Sequence, residues 1–261
     1  MLCGRFPASA IHKTTTMKAI LAKYINEIFR KYGYEIKATA SLPKQNLLGM
    51  KNNYSIRTVL DAGANLGQFA EWARSEFPTS TIHSFEPVQT TYHSLQAKAQ
   101  RDPLWHCYNL ALSSETCVRD INVHVDHLSS SSFLDSTQTT SELFPSTIRK
   151  VKSEVSCVTL DEWVSDSSTV LEEDVLLKMD VQGYEASILQ GGQRTLLNVQ
   201  VVITEVNIER LYHSQTTFPE LVSLLDKACF EFVGVLEHGF SANGNPVSLD
   251  AVFMKRRCFD N

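Results

Sequence analysis

The chain has 261 residues, of which 43% are apolar and 20% charged, and its 24 Lys and Arg against 29 Asp and Glu give a formal net charge of −5. This composition is typical of a globular protein with its own core, and its mild acidity disfavours nucleic acid as the main partner, because a basic surface is needed to neutralise phosphates. No run approaches the roughly 20 apolar residues that span a bilayer, so we expect no stable membrane insertion.

The amino-terminal part, residues 1–56, is predicted to lie outside the main domain, which we place at residues 57–261. Residues 1–16 lack both acidic residues and the apolar run of a secretory signal, which indicates a disordered extension. The alternatives are a basic, Ser/Thr-containing organelle presequence and a start at Met17. Residues 17–31 have helical periodicity with a short apolar stripe. We favour packing of this helix against the main domain, the alternatives being subunit pairing and contact with a membrane surface.

From Arg57 onwards, apolar runs of strand length alternate with helical patterns. We predict strands over 58–61, 81–85, 104–112, 118–125, 151–160, 175–179, 199–206, 230–236 and 249–255. Helices are predicted over 69–76, 88–100, 184–197 and 218–229, with a short helix starting at Asp161. Residues 113–160 are predicted to be an inserted β segment with a Ser/Thr-rich loop over 129–147.

Buried strands that alternate with helices predict a parallel sheet covered on both faces. The expected fold is therefore α/β, with a doubly wound, Rossmann-like sheet of seven core strands. The last two strands are joined by the loop SANGNP, which leaves no room for a helix, so they must be antiparallel neighbours. This ending disfavours a dinucleotide dehydrogenase and suits a methyltransferase.

The strongest motif is VLDAGANLG at residues 59–67, directly after the first predicted strand. Gly63 and Gly67 let the backbone turn tightly and approach a ligand, while Asp61 can order the loop and a ligand ammonium. Because the spacing is not GxGxxG, a pyrophosphate cradle is less natural here. The alternative interpretation is a strand–helix turn that binds nothing.

A second candidate is Glu86, at the end of the second predicted strand in SFEP. A carboxylate at this point can accept both hydrogen bonds from a ribose diol. Glu86 follows Asp61 at about the 20–25 residues expected between these two roles. The alternative is an acid that only caps the following helix.

Two further strands also end in polar side chains. Lys178 and Asp180 share one face at the end of the strand in LLKMDVQGYE, and Glu205 and Asn207 do so in ITEVN. The carboxyl ends of parallel strands meet at one edge, so Asp180 and Glu205 are expected to converge. The alternatives are a structural salt bridge between Lys178 and Asp180 and a loop-anchoring role for Glu205.

Taken in order, these motifs resemble the FkbM family of S-adenosylmethionine-dependent methyltransferases, from about Arg57 to Lys255. The segments that carry the resemblance are VLDAGANLGQFA, FEPV, NLALS, the four-serine loop, VTLDEW, LLKMDVQGYE, ILQGG and ITEVN. The resemblance implies methyl transfer to a hydroxyl oxygen, often of a sugar or natural product. The chain departs from many relatives at Gln182, where they carry an acid.

The resemblance also implies which residues contact the cofactor. S-adenosylmethionine would be held by residues at two strand ends, with a third segment flanking its adenine and Asp180 near the transferred methyl group. The residues at the strand ends are Asp61, Gly63, Asn65, Gly67 and Glu86, and those of the flanking segment are Asn109, Leu110, Ala111 and Leu112.

An alcohol nucleophile holds its proton tightly, so a general base must remove it during attack. Asp180 is the first candidate base, Glu205 the second and the loop residue His213 the third, with Lys178 on the same face as Asp180. Alternatively, Asp180 and Glu205 hold a divalent metal that orients the hydroxyl. The serines at 129–132 either contact a polar acceptor or form a flexible surface loop.

Two other classes remain open from the sequence. A nicotinamide-dependent oxidoreductase would use an acid on the ribose but predicts GxGxxG, and a non-catalytic binding protein could retain the cofactor site. The six scattered cysteines include no CxxC pair and no zinc-ligand spacing, which indicates reduced thiols in a cytoplasmic protein. The expected partner is a small hydroxylated acceptor molecule. Whether the chain also forms a homo-oligomer is left open by the sequence.

Overall fold

A computed structural model of the chain describes residues 54–167, 170–172, 174–241 and 243–256. The predictions for the amino-terminal extension, for the helix over 17–31 and for a start at Met17 lie outside these residues. No helix in the described part of the chain has the length and apolar character needed to cross a membrane.

The described residues form strands and helices that alternate through most of the chain. In chain order the strands are β1 (Thr58–Ala62), β2 (Thr81–Phe85), β3 (Trp105–Tyr108), β4 (Ala111–Ser113), β5 (Cys117–His124), β6 (Lys150–Thr159), β7 (Val175–Met179), β8 (Val199–Asn207), β9 (Phe230–Phe240) and β10 (Pro246–Lys255). The α-helices are α1 (Gln68–Glu76), α2 (Gln89–Ala99), α3 (Gln138–Leu143), α4 (Leu160–Asp166), α5 (Glu185–Gly191) and α6 (Phe218–Lys227).

Seven strands form the main sheet, in the order β3-β2-β1-β7-β8-β10-β9. β1 pairs in parallel with both β2 and β7, whereas β10 is antiparallel to both β8 and β9. The prediction of a doubly wound sheet whose last strand is antiparallel is therefore confirmed. The strand order reverses between β1 and β7, and ligands of open α/β sheets bind beside such a point, at the carboxyl ends of the strands.

Helices cover both faces of the main sheet, as the continuous burial of β1 and β7 requires. On one face, apolar side chains of the sheet pack against α1 and α2, with Ala70, Ala73 and Leu95 in the contact. On the other face they pack against α4, α5 and α6, through side chains such as Trp163 and Ile188. The sheet is thus rigidly held beneath its carboxyl edge.

A second sheet has three strands in the order β4-β6-β5. β6 pairs in parallel with β4 and antiparallel with β5. These strands fall within or beside the segment 113–160 that the sequence predicts to be an inserted β segment. The Ser/Thr-rich loop over 129–147 is not without structure, because it contains α3 and two short 3-10 turns.

Two predicted elements are each divided in the structure. The strand predicted over 104–112 is β3 and β4, which belong to different sheets. The helix predicted over 184–197 is α5 followed by a 3-10 turn, Thr195–Asn198. A Cβ atom on Gly191 would lie 2.1 Å from the carbonyl oxygen of Ser113, so glycine ends the helix where it approaches β4 closely.

Candidate active site at the carboxyl edge of the sheet

The loop after β1 contains three residues with a left-handed backbone and lies directly against the loop after β7. Gly63, Asn65 and Gly67 have φ angles of 76°, 48° and 84°. A Cβ atom on Gly63 would lie 2.0 Å from the carbonyl oxygen of Asp180. Glycine is therefore required at this position both by the backbone conformation and by the close approach of the two loops.

Glu86, at the end of β2, is tied to this loop. Its Oε2 accepts a hydrogen bond of 2.9 Å from the backbone N–H of Asn65, and its Oε1 accepts one of 2.8 Å from that of Val88. Each carboxylate oxygen keeps a second lone pair for a ligand donor. Burial raises the pKa of Glu86 to about 7, even though these two donors act in the opposite direction.

Asp61 lies in register with Ser84 of β2 and is almost fully buried. Ser84 Oγ donates a hydrogen bond of 3.0 Å to Asp61 Oδ2, and Trp105 Nε1 donates one of 3.0 Å to Ser84 Oγ. Since the indole can only donate, the single hydroxyl proton of Ser84 is directed to Asp61. Burial raises the pKa of Asp61 to about 6, an effect that the Ser84 hydrogen bond opposes.

A cleft of about 550 Å³, open to solvent, lies between the carboxyl edge of the main sheet and the second sheet. Its lining comprises Gly63, Asn65, Phe85, Glu86, Pro87, Val88, Leu110, Ala111, Leu112, Ile121, Leu128, Ser129, Ser131, Ser132, Phe133, Asp180, Val181 and Tyr184. The lining combines apolar side chains with a few polar ones, as the lining of small-molecule sites does. One wall near Glu86 is largely apolar, as a purine ring requires.

The structure places most of the predicted site residues at this cleft, but not all of them. Those in its lining are Gly63, Asn65, Glu86, Leu110, Ala111, Leu112 and Asp180. Asp61, Lys178 and Glu205 are not among its lining residues. Gly67 packs against Trp105, with a distance of 2.7 Å from its Cβ position to the indole ring. Asn109 joins the two sides of the turn by donating to the carbonyl oxygens of Glu86 and Pro87.

Lys178 is buried among carboxylates on the α1 face of the sheet. Its Nζ lies 3.2 Å from Asp250 Oδ1 and 3.8 Å from Asp180 Oδ2. Burial alone would lower the pKa of Lys178, but Asp180, Asp250 and Glu205 raise it above its ordinary value. Lys178 is therefore a fixed positive charge beneath the acids, and it has no place in the lining of the cleft.

Asp180 and Glu205 converge, as their positions at neighbouring strand ends predict, and Gln182 lies between them. Gln182 Nε2 is 2.8 Å from Asp180 Oδ1 and 2.6 Å from Glu205 Oε2. Burial and the adjacent Asp180 carboxylate raise the pKa of Glu205 well above its usual range. Of the two acids, Asp180 is the one that lines the cleft.

The serine loop is divided between structural and accessible hydroxyls. Ser132 is buried and donates to the carbonyl oxygen of Gln182 at 2.9 Å, while the carbonyl oxygen of Ser130 accepts a hydrogen bond of 2.8 Å from Tyr212. Ser129 and Ser131 line the cleft. His213, by contrast, is exposed and does not line it.

Two aromatic rings in the lining of the cleft, Phe133 and Tyr184, are in contact with one guanidinium, that of Arg119. The rings of Phe133 and Tyr184 lie with their centroids 5.0 Å apart. The Arg119 guanidinium is 5.1 Å from the Phe133 centroid and donates to Tyr184 Oη at 2.7 Å. The two rings give the cleft an apolar surface, and Arg119 places a positive charge beside it.

Sequence reasoning missed several residues that shape this site: Ser84, Arg119, Glu185, Tyr212 and Asp250. Two of them could have been identified from their positions in the sequence. Ser84 lies two residues before Glu86, so it shares a face with that acid. Glu185 lies within the same motif as Asp180, and its buried carboxylate accepts from the Gly183 N–H at 3.1 Å.

Within the described part of the chain, no group of three or more His, Cys, Asp and Glu side chains is arranged to hold a metal ion. The arrangement instead offers a carboxylate for a diol at Glu86 and a second carboxylate at Asp180, both facing one cleft. Such a site can bind a nucleoside-containing cofactor and accept a proton beside it.

Comparison with known proteins gives a consistent family. The model of the methyltransferase FkbM domain matches residues 61–241. Over 80 residues the chain is 35% identical to 2-O-methyltransferase NoeI of Sinorhizobium fredii, a match that covers 31% of each chain. Over 69 residues it is 36% identical to 31-O-demethyl-FK506 methyltransferase FkbM of Streptomyces tacrolimicus, with 26% of each chain covered. The matched part thus spans less than a third of these relatives' lengths.

Among solved structures, methyltransferase FkbM from Methylobacillus flagellatus has a TM-score of 0.44 at 12% identity, covering 75% of this chain and 44% of that chain. A putative S-adenosylmethionine-dependent methyltransferase from Listeria monocytogenes has a TM-score of 0.45 at 13% identity, covering 82% and 98% respectively.

Proposed function

This chain belongs to the FkbM methyltransferase family, and we propose that it transfers a methyl group from S-adenosylmethionine to a hydroxyl oxygen of a small molecule, in particular a sugar or a related natural product. The observation that carries the proposal is the convergence of Glu86 and Asp180 on one cleft at the point where the strand order reverses. Residues 57–261 are proposed as the methyltransferase domain.

The residues at the cleft fit the cofactor. Glu86 offers free lone pairs for the two hydroxyls of a ribose, and the apolar wall formed by Val88, Leu110 and Ala111 suits an adenine ring. The negative charge of Asp61 and Asp180 suits a ligand that carries a sulfonium and an ammonium. When bound, S-adenosylmethionine supplies a methyl group that is already activated for transfer.

Asp180 is proposed as the general base that removes the proton of the acceptor hydroxyl. Asp180 lines the cleft and is partly exposed, whereas Glu205 is not among the residues that line it. Lys178 holds Asp180 in place from below, at 3.8 Å. Much of the remaining rate enhancement is expected to come from positioning of the acceptor against the methyl group.

The acceptor is proposed to bind against the opposite wall, formed by Ser129, Ser131, Phe133 and Tyr184. Hydroxyls beside aromatic rings suit a sugar, which presents both polar edges and an apolar face. Two relatives, a 2-O-methyltransferase and a 31-O-demethyl-FK506 methyltransferase, support an oxygen as the methylated atom.

The experiment is methyl transfer from S-adenosylmethionine carrying a tritiated methyl group to a panel of hydroxylated acceptors, with matched amines and thiols. We expect label in an alkali-stable methyl ether and loss of that label in Asp180→Asn. Asp120→Asn, an exposed residue of β5, serves as the control. Transfer only to amines or thiols would contradict the proposal of a hydroxyl acceptor.

A further inference from the structure

The side-chain amide of Gln182 sits between two carboxylates at the proposed active site. Its Nε2 lies 2.8 Å from Asp180 Oδ1 and 2.6 Å from Glu205 Oε2. One nitrogen with two hydrogens therefore donates to both acids at once. This is a specific arrangement, because an amide in another orientation would place its oxygen against the two carboxylates.

The amide oxygen of Gln182 faces a second residue. Tyr212 is fully buried, and its hydroxyl lies 2.9 Å from Gln182 Oε1 and 2.8 Å from the Ser130 carbonyl oxygen, so its one proton is shared between two acceptors. The amide NH₂ group faces the acids because two carboxylates accept hydrogen bonds on that side. The backbone of Gln182 is also constrained, with φ of 55° and its carbonyl oxygen bonded to Ser132 Oγ.

A divalent cation between two carboxylates would sit close to the position of this nitrogen. Oxygen ligands bind Mg²⁺ at about 2.1 Å and Ca²⁺ at about 2.3–2.6 Å, and the two carboxylate oxygens lie 2.8 and 2.6 Å from Gln182 Nε2. The amide therefore fills the space that such an ion needs. The Gln182 amide and a divalent cation therefore cannot occupy the position between Asp180 and Glu205 at the same time.

We propose that Gln182 is a positioning residue that takes the place of a divalent cation between Asp180 and Glu205, so that this acid pair works without one. The inference rests on the proposed methyl transfer for its catalytic meaning. The positioning itself follows from the geometry of the side chains.

The charge of the acid pair is balanced from within the chain. Lys178 lies 3.8 Å from Asp180 and supplies a full positive charge, while Gln182 supplies only the dipole of its amide. The other ionisable groups facing this cluster are Asp61, Glu185, Tyr212 and Asp250. The Lys178 ammonium and the Gln182 amide together therefore offset the repulsion between Asp180 and Glu205.

The test is binding of Mn²⁺, measured by the loss of the free-ion signal in electron paramagnetic resonance, with the full chain and S-adenosylhomocysteine present. Wild-type protein is expected to bind no Mn²⁺ at this pair up to about 1 mM, the upper range of weak protein sites. Gln182→Glu, which puts a third carboxylate at the same point, is expected to bind one ion at least tenfold more tightly.

Gln100→Glu is the matched control, because it adds the same charge at an exposed position beyond α2. Wild-type binding of one Mn²⁺ that Asp180→Asn abolishes would overturn the proposal. So would a folded Gln182→Glu variant, verified by circular dichroism, that binds no more Mn²⁺ than the control. If Gln182→Glu does not fold, the wild-type titration alone decides.

Calorimetric titration of the same wild-type sample with S-adenosylhomocysteine separates this inference from the proposed function. Failure to bind S-adenosylhomocysteine would count against methyl transfer, whatever the Mn²⁺ result. Binding of S-adenosylhomocysteine together with tight wild-type binding of Mn²⁺ at Asp180 would leave methyl transfer intact and overturn the role of Gln182.

Discussion

Ser84 donates a hydrogen bond of 3.0 Å to the buried carboxylate of Asp61. The two residues are direct partners in the β1–β2 ladder, and Asp61 is in turn the partner of Lys178 in the β1–β7 ladder. A serine, an acid and a lysine thus form one row across three parallel strands. This row places a fixed negative charge below the loop that begins at Gly63.

Removal of the serine hydroxyl tests whether this row supports the cofactor site. Ser84→Ala leaves a buried carboxylate without its side-chain donor, and hydrogen bonds to charged groups contribute about 1.5–3 kcal/mol. We expect about tenfold weaker binding of S-adenosylhomocysteine by calorimetry. Ser94→Ala, at an exposed position of α2, is the control. Equal affinities in the two variants would show that Asp61 needs no such support.

The acid at the end of β2 gives cofactor binding a pH dependence. The pKa of Glu86 is raised to about 7, and a ribose diol donates to its ionised form. Affinity for S-adenosylhomocysteine should therefore rise between about pH 6 and about pH 8 and then level off. Glu86→Gln should bind weakly with no such rise, whereas Glu231→Gln, exposed on β9, should behave as wild type. A flat wild-type profile would exclude Glu86 as the ribose acceptor.

Stability in the absence of ligand should fall as pH rises. Burial raises the pKa of Glu185 from 4.5 to about 7, so the folded state binds this proton more tightly than the unfolded state. The stabilisation is fully present below the ordinary pKa and is lost as pH rises through about 7. Glu185→Gln should reduce this loss by about 1–3 kcal/mol in urea unfolding at pH 5 and pH 8. If the unfolding free energy falls by the same amount between pH 5 and pH 8 in wild type and in Glu185→Gln, Glu185 does not carry a buried charge.

Two glycines have similar backbone conformations but different surroundings. Replacing each by alanine therefore separates the cost of backbone strain from the cost of steric crowding. Gly63 and Gly244 have φ of 76° and 81°, but a Cβ atom would meet the Asp180 carbonyl oxygen at 2.0 Å in the first and nothing within 4 Å in the second. Gly244→Ala should cost about 1 kcal/mol of unfolding free energy. Gly63→Ala should cost at least about 3 kcal/mol or prevent folding. Similar losses would mean that the two loops do not touch.

Removal of the proposed base should lower the rate of methyl transfer without a matching loss of cofactor affinity. Asn at position 180 can still accept the Gln182 hydrogen bond but cannot take a proton. Asp180→Asn should therefore keep its affinity for S-adenosylhomocysteine within about threefold and lower turnover by at least about 100-fold. The measurement uses the acceptor identified by labelled transfer. Turnover near the wild-type rate would move the role of base to another group.

The sequence predicted those parts of the site that depend on strand ends. Asp61, Glu86 and Asp180 each follow a buried apolar run, and parallel strands bring such positions to one edge. The parallel sheet and its antiparallel last strand also followed from local patterns, since the connection between β9 and β10, residues 241–245, is too short for a helix.

The rest depended on long-range register and on side-chain orientation. Asp250 meets Lys178 only because β10 lies beside β8 in one register, which a pattern within β10 does not encode. The position of Gln182 between two acids requires a left-handed backbone at a residue type that rarely adopts it. The division of the helix at Gly191 came from the approach of β4, which is distant in sequence.

The most direct test of the account is calorimetric titration of the purified full chain with S-adenosylmethionine and S-adenosylhomocysteine, with NAD as the comparison ligand. The account predicts one binding site for each of the first two ligands, strong weakening by Glu86→Gln, and no binding of NAD. Folded protein that binds NAD but neither S-adenosyl ligand would contradict the central claim that this cleft holds a methyl donor.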